Sequence, residues 1–487
     1  MEMTGFSLHL PLHFKERNYM LNKPTRRRNF SRRDFLKAAT ASVAVPYLIP
    51  RSVLAQGGNP GANEKVVIGV VGAGYRIREI MNHPKLMRLQ AICDVHDSQI
   101  NLTIDGNPSE YRTYPGYKTF DPDAVKAVRY KHYRNMFDKE KLDGVFITTP
   151  THVRARITLF ALAAGFDVYG EKPFALTTEQ GRAVVDAVKK HKRVYQCGAQ
   201  ARSIPLNQWA VRRLHDGVLG KMTRAEMTNF LSPVDYTPHD LSENWIHQGL
   251  SGRGKTINEK TLADAKVCPA DLDWDAWCGP APLYPFHEFL LGSTEGWGHF
   301  RDYDGGGTTW GMTGFGTHAF DQIQWALNKD KELPVEIEAS EPDHPTNRSP
   351  FTMTYADGTQ IVIREEGESN NAFGGFLYGD KGKAEINRGQ FRTNPSEIAA
   401  AAPQDIRRDE LDHVKNWLDC IKTRETPRTS AEIAHHHTLL CNFGVICREV
   451  PGKLKFDSKT ETFDNAAANN HPSMRREARK GHELPNV

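Results

Sequence analysis

Seven residues, Lys65-Val66-Val67-Ile68-Gly69-Val70-Val71, run without a break into Gly72-Ala73-Gly74. The run has strand length, and a strand apolar on both faces belongs inside a parallel sheet with both sides covered. The glycines then restrict the turn after it. Gly72 permits a tight turn, and Gly74 lets the backbone approach a pyrophosphate whose charge sits at the start of the next helix. Residues 89–93 read as a second strand ending in Asp94, 20 residues beyond Gly74, where this arrangement binds ribose hydroxyls. A carboxylate there repels a 2′-phosphate, so NAD is expected rather than NADP. The third glycine of the pattern is replaced by Ile77, and Arg76 in the turn faces either phosphates or solvent.

The unit then repeats. Strands are expected at 143–150, 166–169 and 194–197, with helices over 155–164, stopped by Gly165, and 177–190, capped by Thr177. Such alternation means a doubly wound parallel sheet, whose ligands bind at the carboxyl ends of strands. Gly72, Asp94, Thr149 and Lys172 all fall at such ends. From about residue 201 the pattern changes. Residues 222–230 alternate like a strand. Residues 351–365, turning at Asp357-Gly358, and 376–386, turning at Gly379-Asp380-Lys381-Gly382, read as hairpins. The fold class is therefore α/β, with a Rossmann-type parallel sheet over 65–200 and a second domain carrying antiparallel signals over 201–463. Residues 464–487 read as a polar surface tail. The 487-residue length agrees with two domains.

The net charge of +4 describes no single object. Residues 1–55 hold ten Lys or Arg and three acids, leaving 53 basic against 56 acidic residues beyond. A mildly acidic body without a basic run argues against nucleic acid as a partner. The basic start contains Ser31-Arg32-Arg33-Asp34-Phe35-Leu36-Lys37, a short apolar run over 38–49 and Val53-Leu54-Ala55. It resembles a twin-arginine export signal, which implies passage through the twin-arginine translocase and a periplasmic or otherwise extracytoplasmic location. Residues 56–64 read as a linker. The apolar run is far short of the ~20 residues that span a bilayer, so no membrane is expected for the mature form. The seven cysteines form no close C-x-x-C pair, so neither a disulfide framework nor a cysteine metal site is expected. His435-His436-His437 cannot easily share one ion, because consecutive helical residues diverge by about 100°; no metal is expected.

Several segments together carry a resemblance: Gly170-Glu171-Lys172-Pro173 with Leu176-Thr177, Thr148-Thr149-Pro150, Gly198-Ala199-Gln200-Ala201-Arg202-Ser203, Pro269-Ala270-Asp271-Leu272-Asp273-Trp274-Asp275, Asp304-Gly305-Gly306-Gly307, residues 316–325 around His318, and residues 413–421. They resemble the glucose–fructose oxidoreductase, inositol dehydrogenase and rhizopine-catabolism family (Gfo/Idh/MocA). The resemblance implies an N-terminal nucleotide-binding domain, a C-terminal α/β domain whose large, open, mainly antiparallel sheet mediates homodimers or homotetramers, and a sugar, polyol or derivative as substrate. It places Gly72, Ala73, Gly74, Tyr75, Arg76, Asp94, Thr148, Thr149, Pro150, His152, Glu171, Lys172, Gln200 and Arg202 at the cofactor. It makes Lys172 and His318 the catalytic pair. Elementary chemistry agrees, since oxidising a secondary alcohol needs a base and a positive group near the nicotinamide. Lys172 paired with Glu171 for structure and His318 as a satisfied core histidine are the competing readings.

Two positions depart from the family pattern: Gly314 stands where an acid precedes the histidine by four residues, and Arg154 where a histidine is common. Asp321, three residues after His318, is a partial substitute for that acid or a structural group. In the irregular 232–310 stretch, Trp245, His247, Trp297, His299, Arg301 and Tyr303 either contact a sugar or anchor the loop. An exported enzyme cannot depend on exchanging free NAD, so a tightly held cofactor is expected to be restored in each cycle. Paired sugar oxidation and reduction does this. So does NAD-dependent glycoside cleavage, by transient oxidation at C3, elimination, hydration and return of the hydride. A non-catalytic nucleotide- or sugar-binding homologue is the third reading.

Overall fold

The computed structural model describes residues 64–81, 83–107, 114–235, 267–292, 296–307, 310–340, 348–364, 372–403 and 410–487. The expected export signal and nearly all of the linker lie outside these residues, as do Trp245 and His247.

The first half alternates strand and helix in chain order: β1 Val66–Val71, α1 Tyr75–Ile80, β2 Met87–Cys93, α2 Asp97–Asp105, β3 Val128–Tyr130, α3 Tyr133–Lys139, β4 Gly144–Ile147, α4 Thr151–Ala163, β5 Asp167–Gly170, α5 Thr178–His191 and β6 Tyr195–Cys197. The six strands form one sheet in the order β3-β2-β1-β4-β5-β6, with every neighbouring pair parallel. Val66, Ile68 and Val70 of β1 pack into one core and Val71 into another, so the apolar run is apolar because both sheet faces are covered. The Thr177 cap forms as expected, its hydroxyl accepting from Gln180 N at 3.2 Å.

A second sheet follows α6 Pro205–His215. Its strands are β7 Met222–Met227, β8 Glu336–Ala339, β9 Phe351–Thr354, β10 Gln360–Ile363, β11 Gly375–Gly379, β12 Gly382–Asn387, β13 Gln390–Asn394, β14 Leu454–Asp457 and β15 Thr462–Phe463. They lie in the order β13-β12-β11-β7-β10-β9-β8-β14-β15, and only the β7–β10 pair is parallel. Both expected hairpins are present, as β9–β10 and β11–β12. Phe351, Met353, Ile361 and Ile363 face a core built with α6, α7 Phe315–Ala326 and α9 Ala431–Glu449, while Thr352, Thr354, Gln360 and Val362 on the other face are half-buried.

Two features depart from expectation. The helix α8, Glu410–Thr423, leaves the second half of the chain and packs on the parallel sheet, with Val414, Trp417 and Leu418 buried beside Phe146 and Tyr169. Gly144 of β4 has no room for a side chain because a Cβ would come within 2.9 Å of the Trp417 ring. The polar tail lies largely at the surface but is tied down by backbone bonds that its composition did not announce. Thr178 N and Glu179 N donate to Ser473 O and Met474 O, each at 3.0 Å, and Met474 is buried in the second core. Several of its polar groups serve backbone partners, as Arg479 does on Gly279 O at 3.0 Å. No helix among the described residues is long and apolar enough to cross a membrane. All seven cysteines are free.

Candidate functional site

The turn after β1 is shaped by close approach. Gly72 has φ +95°, and a Cβ there would lie 2.7 Å from Thr149 N and 2.8 Å from Thr148 C. Any other residue would push β1 and β4 apart at their carboxyl ends. The Thr148 hydroxyl donates to Gly72 O at 2.5 Å and clamps the same junction. Gly74 differs, since a Cβ on it would meet nothing within 4 Å. One glycine is required by the fold and the next leaves open space. Ile77, in place of the third glycine, is fully buried in the core.

Asp94 ends β2 half-buried and accepts from Ala73 N at 2.6 Å and His96 N at 2.9 Å. Burial raises its pKa against those two bonds. The carboxylate is thus held at the glycine turn. Thr149 Oγ1 is buried without a partner among the described residues. An open glycine, a carboxylate at the end of β2 and an orphaned hydroxyl at the end of β4 fit a dinucleotide laid across these strand ends. Arg76 does not simply face solvent: it pairs with Glu171 and Glu79, each at 2.8 Å, and so ties the β1 turn to the end of β5. Tyr75 lies half-buried in that turn.

Lys172 leaves the end of β5 and reaches the second half of the molecule. Its Nζ donates to Gly314 O at 3.1 Å, at the start of α7. His318 lies on that helix, buried, with Nδ1 unpartnered among the described residues and its ring edge-on to Phe373 at 5.6 Å. Burial and then the Lys172 charge push the His318 pKa well below its ordinary value, so the imidazole is neutral near pH 7. Burial also lowers the Lys172 pKa, opposed by Glu171 and Asp304 and reinforced by Arg76 and Arg154. Lys172 thus reaches the start of the helix that carries His318, four residues before it.

Three of the expected cofactor residues have protein partners, while His152 Nδ1 and Gln200 Oε1 are buried without one among the described residues. His152 Nε2 sits 2.8 Å from Trp277 O, and its ring packs edge-on to Tyr303. Arg202 is committed to Asp321 at 2.8 Å and to Asp330 at 2.7 and 2.8 Å. Gln200 is buried with Nε2 donating to Tyr169 OH at 3.2 Å. Spacing along the chain could not show these partners, most of which are remote in sequence. Asp321 likewise serves Arg202 and His437 rather than His318. The three consecutive histidines diverge as expected, to Glu461, Asp330 O and Asp321. In the irregular stretch, Tyr303 is fully buried and Arg301 pairs with Asp235 and Glu449, so both anchor the loop. Trp297 is half-buried, and His299 is buried and stacked near Phe289.

Sequence reasoning missed Asp304, which it quoted only as part of a motif. This carboxylate is fully buried and accepts from the Thr151 and Thr313 hydroxyls. Arg154, also buried, donates to Thr149 O at 2.6 Å and to Pro173 O. The signal for Asp304 was an acid beside three glycines, a pattern that leaves bare walls around a carboxylate.

Residues 65–199 match the NAD-binding Rossmann fold of the Gfo/Idh/MocA oxidoreductase family, and residues 249–481 match its C-terminal alpha/beta domain. The chain belongs to this family. Its cofactor is NAD, held by the Rossmann domain. Among curated relatives, a glycosyl hydrolase family 109 protein of Shewanella baltica is 29% identical over 180 residues, 33% of this chain and 38% of that protein. A levoglucosan dehydrogenase of Pseudarthrobacter phenanthrenivorans is 32% identical over 122 residues, 25% of this chain and 31% of that protein. The matches thus span 38% and 31% of these relatives' length. The WlbA dehydrogenase of Bordetella pertussis, solved with NADH and UDP-GlcNAcA, superposes with a TM-score of 0.50 at 14% identity, covering 81% of this chain and 99% of that one. At that identity the likeness is one of fold.

Proposed function

We propose that this protein oxidises or reduces a sugar, a polyol or a derivative by hydride transfer, with Lys172 and His318 at the reaction centre. The observation that supports the reading is the Lys172 Nζ bond to Gly314 O, four residues before the buried His318 on the same helix, whose pKa burial and then the Lys172 charge lower. NAD bound across Gly72–Gly74 and Asp94 supplies the hydride acceptor or donor. His318 takes the hydroxyl proton on its neutral ring, and the Lys172 ammonium stabilises the developing alkoxide. Phe373 and the buried setting of His318 exclude water from the base.

The twin-arginine-like leader supports an extracytoplasmic location and a cofactor that is loaded before export and kept. The chain purified without added cofactor should then carry nucleotide, seen in its absorbance and in the nucleotide released on denaturation. Empty protein that turns over only with added NAD rejects retention. Protein that transfers no hydride with any sugar or polyol, with or without NAD, rejects the oxidoreductase reading.

The similarity to glycosyl hydrolase family 109 proteins favours a second reading, NAD-dependent glycoside cleavage. The same pair would serve transient oxidation at C3, with the hydride returned after elimination and hydration. Aryl glycosides assayed beside sugar pairs separate the two: aglycone release without net nucleotide reduction marks the hydrolase.

A further inference from the structure

Gly314 removes from α7 the acid that the family pattern places one turn before His318, and a buried carboxylate from elsewhere stands close by. Asp304 is wholly buried, and each of its oxygens accepts a hydroxyl: Oδ2 from Thr151 at the start of α4, and Oδ1 from Thr313 just before α7. Two donors, one on each oxygen, suit an anion.

The glycines around Asp304 are spatial requirements. A Cβ on Gly307 would lie 2.7 Å from the Asp304 carboxyl carbon and 2.8 and 2.9 Å from its oxygens. A Cβ on Gly305 would lie 2.7 Å from the Thr313 methyl. The Asp304-Gly305-Gly306-Gly307 segment is thus a socket in which one carboxylate grips one threonine on each side. The Thr313 link leads directly to the site, because the next carbonyl, that of Gly314, receives the Lys172 ammonium at 3.1 Å. The Thr151 link leads back to the end of β4, where Thr149 and Arg154 lie.

We propose that Asp304 is a positioning residue: by holding the Thr313 hydroxyl it fixes the neighbouring Gly314 carbonyl on which the Lys172 ammonium docks, and it adds a second buried carboxylate to Glu171 on the ammonium's side of the site. Asp304 serves Thr151 and Thr313 and does not replace the missing acid at His318, which burial and then the Lys172 charge keep neutral. The charged groups around Lys172 divide by sign, with Glu171 and Asp304 favouring its proton and Arg76 and Arg154 opposing it, while His318 adds no charge in its neutral form. Asp304 itself is raised by burial and held down by Thr151, Thr313, Arg154 and Lys172. The catalytic meaning of this arrangement rests on the function proposed above, but the link to Lys172 does not.

The test therefore reads Lys172 directly. Full-length wild type, Asp304→Asn and Thr313→Val are pulse-acetylated with acetic anhydride at a series of pH values. Acetylation at Lys172 is then measured by mass spectrometry against exposed lysines in the same sample. Removing the Asp304 charge should lower the pH at which Lys172 becomes reactive by about one unit, an increase of about tenfold in free amine below its midpoint. Thr313→Val keeps the charge but loosens the carbonyl, and should raise Lys172 labelling several-fold. If Asp304→Asn does not fold by circular dichroism, Thr313→Val decides alone. Folded variants in which Lys172 labels as in wild type overturn the proposal. A wild type that labels as expected but transfers no hydride rejects only the oxidoreductase reading.

Discussion

Arg202 Nε donates to Asp321 Oδ1 at 2.8 Å, and both side chains are buried. The guanidinium also holds Asp330, and His437 Nδ1 lies 3.0 Å from the same Asp321 oxygen. The cluster joins the segment after β6 to α7 and α9, and Asp321 lies three residues beyond His318 on α7. The ion pair therefore sets where α7, and His318 with it, stands relative to the parallel sheet.

Asp321→Ala strips a buried guanidinium of a partner and should cost about 3–5 kcal/mol in chemical unfolding. Burial opposes the Asp321 charge, but Arg202 and His437 outweigh it and hold the pKa below the ordinary value. The stabilisation is thus full above the unfolded pKa and is lost as pH falls through the lower folded one. The gap between wild type and variant should close in strong acid. A variant as stable as wild type at pH 7 contradicts the assignment.

Burial lowers the pKa of both His152 and His413 to about 4. The unfolded chain titrates near ~6.5, so between the two values it binds more protons than the folded one. Stability should be full above that upper value and fall as pH drops towards 4, each histidine contributing on the order of 3 kcal/mol of loss. Melting temperature against pH is the measurement, and a flat line from 6.5 to 4 contradicts the buried neutral state of both rings.

The two turn glycines should separate fold from ligand. Gly72→Ala drives a Cβ into Thr148 and Thr149 at a φ that side chains rarely adopt, and should lower the melting temperature markedly. Gly74→Ala meets nothing, so the nucleotide-free chain should melt within about 0.5 kcal/mol of wild type. Its NAD affinity, read by calorimetry, should nevertheless fall because the added methyl occupies the open space. Unchanged affinity would place the pyrophosphate elsewhere.

Lys172→Ala and His318→Ala should each cut turnover by roughly 10²–10⁴-fold while leaving NAD bound. Lys172→Ala should also remove a positive charge that depresses His318, moving the acid limb of the pH–rate profile to higher pH in whatever activity remains. Full activity in either variant rejects its assigned role.

Asp94→Ser should weaken NAD binding and narrow the preference over NADP, since the group that repels a 2′-phosphate is gone. Asp94 also accepts from Ala73 N and His96 N, so some loosening of the turn is expected beside the change in preference. Titration with both nucleotides checks it, and unaltered discrimination assigns selectivity to another residue.

Much of this site was legible because it lies at strand ends. Gly72, Gly74, Asp94, Thr149 and Lys172 were placed by a rule that comes from how a parallel sheet is wound. His152, Gln200 and Arg202 were not resolved the same way. They are polar residues at the correct distance along the chain, but their partners Trp277, Tyr169, Asp321 and Asp330 are mostly remote in sequence. Asp304 was overlooked for the same reason, since its donors Thr151 and Thr313 come from different halves of the chain.

The amino-acid sequence by itself determined the parallel sheet, the glycine turn after β1 and both hairpins, because each is written in short-range pattern: apolar runs, glycines at turns, caps at helix starts. Only the tertiary structure decided which charges face one another. Lys172 meets Gly314, Arg202 meets Asp321 and Trp417 covers Gly144 across separations of more than a hundred residues. Burial makes those meetings consequential, since a charge taken from water must find its partner wherever the fold brings one.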